Sequence, residues 1–184
     1  MIIRCAGEKD FDRVRGFYHL LIDMMRDGAW RIGWEKDIYP SQDFLIDSLR
    51  HGELYTAEEG GQVVSAMVCN QECNEGYRKN RWHNALPDSE VLFIHALGVR
   101  SDLAGRGIGG AMVRKAMDLA GEKDCRALRL DVLKGNLPAE RLYAGAGFTH
   151  EGDLRMYYED TGWTDFSLYE YLLPDTAPEG EDIC

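Results

Sequence analysis

The sequence predicts an α/β (α+β) protein whose mixed sheet carries helices on both faces. Strand-like and helix-like segments follow one another in the order β-α-α-β-β-β-α-β-α-β-β. The most apolar strand, residues 91–99, leads through a glycine-rich turn into a helix and another strand, which predicts a right-handed parallel crossover. The pair Gly60-Gly61 between two earlier strands predicts an antiparallel hairpin.

The N-terminal part is predicted to hold one strand and two helices. Residues 1–5 are a short apolar segment that we expect to form an edge strand. Apolar side chains then recur at helical spacing from about Glu8 to Arg26, and Asp27-Gly28 ends this helix. Pro40-Ser41 begins the second helix, which Gly52 closes.

The middle of the chain is predicted to be mostly strand. Residues 54–57 and 63–69 form the hairpin strands, and residues 71–88 are polar and irregular. Residues 91–99 are continuously apolar, which indicates a central strand covered on both faces.

The C-terminal part is predicted to alternate between helices and strands. A helix follows the glycine-rich residues 101–110, and Leu128, Leu130 and Val132 alternate with charged residues in the next strand. Asn136 caps a short helix. Two final strands are predicted at 148–158 and 166–172.

A single domain is predicted for residues 1–173, because no repeat or linker interrupts it. Residues 174–184 form an acidic C-terminal tail that we expect to be disordered.

Charge and cysteine content narrow the classes of partner. The chain has 21 basic and 32 acidic residues, a net charge of -11, which disfavours nucleic acid and suits cationic acceptors, with solubility alone as an equal alternative. Its 5 cysteines are scattered and suit neither a disulfide framework nor a zinc site, so we expect no metal and a cytoplasmic location. No apolar run is long enough for a membrane span or a signal peptide, so no membrane association is expected.

The strongest chemical signal is the turn Gly105–Gly110 between a strand and a helix. Glycines let the backbone approach an anion, and the helix start offers free N–H groups, which is typical of a pyrophosphate site. A Walker loop is excluded because no Gly-Lys-Ser/Thr follows, and the acidic residue of a dinucleotide fold has no well-placed candidate. A simple helix-entry turn remains the alternative.

A second segment, residues 136–148, resembles the pattern Asn-x-x-Ala-x-x-Leu-Tyr-x-x-x-Gly-Phe of the GNAT superfamily of N-acetyltransferases. The glycine turn is similar to that family's acetyl-CoA motif, Arg/Gln-x-x-Gly-x-Gly/Ala, with Gly107 and Gly109 at its glycines and Ala104 in place of the leading Arg/Gln. The resemblance runs from Met1 to about Leu173, and the aromatic segments look like a bacterial subgroup. It implies a mostly antiparallel sheet with a splayed parallel pair, and acetyl transfer from acetyl-CoA to a primary amine.

The resemblance also implies which residues bind acetyl-CoA, largely through backbone groups. We expect the charge of Arg106 to compensate in part for Ala104. The expected cofactor-binding residues are Leu97, Gly98, Val99, Ala104, Gly105, Arg106, Gly107, Ile108, Gly109, Gly110, Asn136, Ala139, Leu142 and Tyr143.

Three residues are candidates for catalysis. Tyr143 aligns with the family's usual general acid, although a Tyr packed beneath its helix would have the same spacing. His95, two residues before Leu97, is expected on the same strand face and near the reacting centre, as a base or as a structural His. Glu90 is the rival base, or else a solvated residue at the strand start.

Aromatic residues are the candidates for the acceptor site, since their faces attract cations. They are Trp30, Trp34, Tyr39, Trp82 and Tyr157, each of which could instead be packing. The acceptor is expected to be a small amine or a protein amine, and a homodimer would cover exposed edges and aromatics. The alternative function is a CoA-binding sensor or interaction module, which Ala104 favours and the intact Tyr143 disfavours.

Overall fold

The computed structural model describes residues 1–26 and 33–174. Within them, seven strands and four helices follow one another along the chain. They are β1 (Ile2–Cys5), α1 (Phe11–Arg26), α2 (Gln42–Arg50), β2 (Leu54–Glu59), β3 (Gln62–Asn70), β4 (Val91–Val99), α3 (Ile108–Glu122), β5 (Ala127–Leu133), α4 (Leu137–Gly145), β6 (Thr149–Tyr158) and β7 (Gly162–Leu172).

The strands form one mixed sheet in the order β1-β2-β3-β4-β5-β7-β6. β1 lies at an edge and β4 in the middle, as predicted. Every neighbouring pair is antiparallel except β4 and β5, which are parallel. That pair is hydrogen-bonded only between residues 91–93 and 127–129, so the two strands diverge over the rest of their lengths. The predicted mixed, mostly antiparallel sheet with a splayed parallel pair is confirmed.

Helices cover both faces of the sheet. Side chains of a strand point to both of its sides, and β3 carries apolar residues on each, so both faces need a cover. On β3, Val63, Ala66 and Val68 pack in a core with α1 and α2. Val64, Met67 and Cys69 pack in a second core with α3 and with Tyr143 of α4. This arrangement places α1 and α2 on one face and α3 and α4 on the other.

The helix starts and the hairpin have the local contacts that their residues predict. The Ser41 hydroxyl accepts a hydrogen bond from the Phe44 N–H at 3.2 Å and caps α2. The Asn136 side chain caps α4 in the same way, accepting from the Ala139 N–H at 3.4 Å. Between β2 and β3, Gly60 and Gly61 have φ of +56° and +79°, which favours glycine at both positions.

Some details differ from the prediction. β7 begins at Gly162 rather than at residue 166, because it pairs with β6 from Tyr158 onward in a tight hairpin. A 3₁₀ turn, Glu8–Asp10, precedes α1, and another, Glu75–Lys79, lies within the segment predicted to be irregular. The predicted helix end at Asp27-Gly28 and residues 175–184 of the tail lie outside the described residues. None of the helices in residues 1–26 and 33–174 is long and apolar enough to cross a membrane.

Candidate active site

A β-bulge in β4 breaks the regular alternation of its side chains. Ala96 has φ of +51°, which is rare for a residue other than glycine. Opposite it, one residue of β3, Met67, faces two residues of β4, since Ala66 pairs with Gly98 and Val68 pairs with His95. The bulge therefore changes which face of the sheet each later side chain of β4 occupies.

His95 and Leu97 consequently lie on opposite faces, and the prediction that they share one is wrong. The His95 ring contacts the rings of Phe44 and Phe93, with centroids 6.4 and 6.3 Å away, on the side of α2. Leu97 packs against the core formed with α3. The period-two rule assumed an unbroken strand, and the extra residue inverts it.

The bulge and the splayed parallel pair open a cleft of about 860 Å³ between the diverging ends of β4 and β5. The cleft runs from the glycine turn to an aromatic end. The predicted cofactor-binding residues that line it are Leu97, Gly98, Val99, Ala104, Gly105, Gly107, Ile108, Gly109, Gly110, Asn136, Ala139, Leu142 and Tyr143.

The glycine turn and the start of α3 form one end of the cleft. Gly105 and Gly107 have φ of +79° and +77°, a conformation that a side chain would strain. Gly107 is the N-cap of α3, and neither a capping side chain nor an acidic residue of the first turn occupies the helix start. The first N–H groups of a helix have no partner within the helix, so this end attracts an anion.

Arg106 was expected in the cleft but does not line it. Its guanidinium pairs with the Glu59 carboxylate at 3.0 Å, on the β2–β3 side. Arg100 does line the cleft, and its guanidinium is bound to Asp102 at 2.7 Å. Ala104 lines the cleft and has no polar side chain. Hydrogen-bond donors at this end of the cleft are therefore mainly the backbone N–H groups of the turn.

Tyr143 lies on α4 at the middle of the cleft. Its ring is buried against those of Phe148 and Tyr169, with centroids 5.4 and 6.2 Å away. In the described part of the chain, no group forms a hydrogen bond with its hydroxyl, and the residue lines the cleft. Burial raises the pKa of the Tyr143 phenol, so the hydroxyl keeps its proton at neutral pH.

His95 also lines the cleft, held by a polar network. The Asn70 Oδ1 atom accepts from the Glu72 N–H at 3.1 Å, and the Asn70 Nδ2 group donates to Glu53 at 3.1 Å. This orients the amide, so the His95 Nε2, 3.0 Å from the same Oδ1, carries the hydrogen. Burial lowers the pKa of His95 to about 4, and the imidazole is therefore neutral at pH 7.

The other end of the cleft is aromatic and acidic. The rings of Trp34 and Tyr39 lie 5.7 Å apart, and those of Tyr39 and Tyr158 lie 6.2 Å apart. The carboxylates of Asp131 and Asp160 complete this wall. Trp34 and Tyr39 were predicted here, whereas Tyr158, Asp131 and Asp160 were missed. The alternation of charged and apolar residues in the strand around residue 131 was the available signal, since it places Asp131 on the opposite face from Leu130 and Val132.

Three predicted site residues lie elsewhere. Trp82 packs over the Arg129 guanidinium at 4.2 Å, within the core beneath β5. Tyr157 is 57% exposed and contacts Trp163 on the outer side of the β6–β7 hairpin. Glu90, at the opposite end of β4 from the cleft, pairs with Arg126 at 3.0 Å, in keeping with the solvated alternative. Trp30 lies outside the described residues.

Known proteins resemble the chain in sequence. The model of the acetyltransferase (GNAT) family matches residues 15–148. A Bacillus subtilis protein provisionally named a ribosomal-protein-bS18 alanine N-acetyltransferase is 35% identical over 69 residues, 38% of this chain and 46% of that protein. An uncharacterized N-acetyltransferase of Methanocaldococcus jannaschii is 32% identical over 107 residues, 56% of this chain and 43% of that protein. The chain spans less than half the length of these two relatives.

Solved structures share the fold. An acetyltransferase of the GNAT family from Streptococcus agalactiae has a TM-score of 0.76 at 15% identity, covering 94% of this chain and 95% of that one. The Arabidopsis thaliana protein NAA60, in complex with acetyl-CoA, has a TM-score of 0.65 at 19% identity, covering 94% of this chain and 99% of that one. At these identities the likeness concerns the fold alone.

Proposed function

The chain belongs to the acetyltransferase (GNAT) family, and from that premise we propose that it transfers acetyl from acetyl-CoA to a primary amine. One observation carries the proposal. A single cleft joins the uncapped start of α3, a protonated phenol whose hydroxyl has no partner among the described residues, and an aromatic end with two carboxylates. These three parts correspond to a diphosphate, a leaving thiolate and an amine.

The glycine turn and α3 are the proposed site for the diphosphate of acetyl-CoA. Their free N–H groups and the positive end of the helix suit its charge. The pantetheine arm would follow the edge of β4 that β5 leaves unpaired, near Leu97 and Val99, as an added strand does. Asn136, Ala139 and Leu142 line the opposite wall. A Leu97 N–H in this region would polarise the thioester oxygen.

The proposed chemistry is direct attack of a neutral amine on the thioester carbon. The new C–N bond forms as the C–S bond breaks, and Tyr143 gives its hydroxyl proton to the departing thiolate. His95 faces the acceptor end as a neutral imidazole, which would contact the amine without repelling it.

The acceptor end favours a cation. Aromatic rings and carboxylates attract an ammonium group, and the chain's net charge of -11 concentrates amines around it. The name of the Bacillus subtilis relative refers to a ribosomal-protein alanine, which supports testing free α-amino groups of peptides beside small amines.

The experiment is thiol release from acetyl-CoA in the presence of a panel of primary amines: butylamine, phenethylamine, 1,4-diaminobutane and a tripeptide with a free α-amino group. Thiol release that depends on one of these amines supports the enzyme, and mass spectrometry should find the acetylated amine. Tight CoA binding, measured by calorimetry, without amine-dependent thiol from any panel member would favour the alternative of a CoA-binding module.

A further inference from the structure

Tyr18 lies in the apolar stripe of α1, but its hydroxyl holds the backbone of β4. The residue is 1% exposed, and its ring contacts those of Phe17 and Trp34, with centroids 5.1 and 6.0 Å away. Its hydroxyl donates a hydrogen bond to the Ala96 carbonyl at 2.9 Å. Tyr18 does not line the cleft, and neither the sequence motifs nor the family resemblance gives it a role.

Ala96 needs such an anchor, because it is the strained residue of the bulge. Its φ of +51° is costly for a residue with a side chain, and such a conformation persists only where the surrounding structure fixes it. The strand register pairs His95 and Gly98 with residues of β3. Ala96 and Leu97, between them, share Met67 and have no partner of their own on β3 or β5. A group outside the sheet therefore sets the direction of this peptide unit.

The Ala96 carbonyl and the Leu97 N–H belong to that one peptide unit. The unit is planar and trans, so its C=O and its N–H point in opposite directions. Because Tyr18 holds the carbonyl from the α1 side, the N–H points away from α1. Tyr143 lies on that other side of the sheet, in the core against which Leu97 packs. One buried hydroxyl thus fixes the direction of a donor on the opposite face.

The helix that carries Tyr18 is packed tightly against this part of β4. A side chain at Gly98 would overlap with Leu21 of α1, and it would come within 3.5 Å of Trp34 and 3.6 Å of Phe17. Tyr18 and Leu21 are three residues apart and share one face of the helix. The close contact of helix and strand therefore keeps the Tyr18 hydroxyl at a fixed distance from the bulge.

We propose that the Tyr18 hydroxyl is a positioning group, which keeps the Leu97 N–H aimed at the thioester oxygen of bound acetyl-CoA. This inference rests on the proposed function, in which that N–H polarises the oxygen. Tyr18 itself touches neither the cofactor nor the acceptor, because it lies behind β4 and outside the cleft. It acts through the Ala96 carbonyl.

The direction of the Leu97 N–H matters most when the amine attacks, because negative charge then develops on the thioester oxygen. A donor that already points at this oxygen stabilises the charge without reorganising. Without the Tyr18 hydroxyl, Ala96 can relax toward a negative φ, and the rotating peptide turns the N–H away. The glycine turn, which is the proposed diphosphate site, stays as it is. The hydroxyl should therefore affect the chemical step more than CoA binding.

The first test is Tyr18→Phe, which keeps the ring and removes the hydroxyl. With the panel amine that gives the highest rate, kcat should fall by ~10-fold to ~10²-fold, the cost of misplacing a group at the reacting centre. The Kd for CoA, measured by calorimetry, should change little. Ser48→Ala is the matched control, since the buried Ser48 hydroxyl also donates to a carbonyl, that of Phe44 at 2.8 Å within α2. It should keep the wild-type kcat.

Infrared spectroscopy of acetyl-CoA with an isotope label at its carbonyl carbon observes the donor directly. The carbonyl stretch should lie at lower frequency on the wild type than in solution, because a hydrogen bond weakens the C=O bond. In Tyr18→Phe the bound frequency should move back toward the solution value, and in Ser48→Ala it should match the wild type. A purely structural role of Tyr18 would leave this frequency unchanged.

The outcomes separate the two proposals. A wild type that acetylates no amine contradicts the proposed function, while the infrared comparison still tests this inference, because it needs only bound acetyl-CoA. Beside an active wild type, an equal kcat or an unchanged carbonyl frequency in Tyr18→Phe contradicts this inference alone. So does a fall in kcat that Ser48→Ala shares, since any lost buried hydrogen bond would then have the same effect.

Ala96→Gly gives an independent comparison should Tyr18→Phe fail to fold by circular dichroism. Glycine adopts φ of +51° without strain, so the double variant Tyr18→Phe, Ala96→Gly should fold. Glycine also leaves this conformation freely, and the Tyr18 hydroxyl is then the main restraint on the peptide. The double variant should therefore have a kcat ~10-fold or more below that of Ala96→Gly. Equal kcat values in these two variants overturn the inference.

Discussion

His95 and Asp131 occupy matching positions on the two parallel strands, each two residues beyond the last paired residues, Phe93 and Arg129. Both side chains line the cleft on the acceptor side. One is a neutral imidazole tied to Asn70, and the other is a carboxylate tied to two phenols. The point at which the strands separate therefore carries a neutral and an anionic group facing the same space.

Tyr143→Phe should lower kcat by ~10²-fold or more, because the thiolate would leave without a proton donor. The ring and its packing remain, so the Kd for CoA should change little. Steady-state thiol release and calorimetry with CoA measure the two quantities. An unchanged kcat would remove Tyr143 from the mechanism, and a parallel loss of CoA binding would indicate a packing role.

Gly107→Ala should weaken CoA binding. Gly107 caps α3 with φ of +77°, and a side chain in that conformation costs ~1–2 kcal/mol. The turn would relax away from the diphosphate, raising the Kd for CoA by roughly fivefold to thirtyfold in calorimetry. Gly16→Ala is the control, since its new methyl group on α1 would meet no atom within 4 Å. It should raise stability by about 0.5–1 kcal/mol and leave the Kd unchanged; equal Kd values in both variants would exclude the turn from the site.

His95 should make the fold less stable in acid. Its pKa is lowered from 6.5 to about 4 by burial, so the unfolded chain binds a proton that the folded one resists. The neutral, buried His95 costs the fold nothing above pH 6.5, and the free energy of unfolding then falls as the pH drops from 6.5 toward about 4. Urea unfolding at pH 7.5 and at pH 5 measures how much unfolding free energy the protein loses in acid. This loss should be smaller by about 2 kcal/mol in His95→Gln than in the wild type. The exposed His51→Gln should retain the wild-type difference, and a His95→Gln variant that also retained it would contradict this reading.

Glu170→Gln should be strongly destabilising. Glu170 and Arg129 are each 3% exposed and form an ion pair at 2.8 Å, with Trp82 stacked on the guanidinium. Loss of one charge leaves the other buried without a counterion, which costs about 3–5 kcal/mol. The exposed pair of Arg126 and Glu90 is the comparison, and Arg126→Gln should cost under about 1 kcal/mol. Urea unfolding of both variants measures the contrast, and similar losses would show that burial does not govern these pairs.

Residue pattern predicted most elements, and the family resemblance pointed to the residues that line the cleft near the glycine turn. The glycine turn, the Asn136 cap and the position of Tyr143 depend on chain neighbours within a few residues, which a linear motif records. The acceptor end was predicted less well. Tyr157 was chosen where its neighbour Tyr158 faces the cleft, because the face of a strand depends on the pairing register.

The sequence by itself determined the order of strands and helices and the glycine turn, since these follow from local periodicity and backbone preference, and its motif placed Tyr143 on the short helix that follows. The tertiary structure alone decided the bulge at Ala96, the opposite faces of His95 and Leu97, and the two phenols that converge on Asp131. These features arise from contacts between segments far apart in the chain. Tyr77 reaches Asp131 across 54 residues, a relationship that no local pattern encodes.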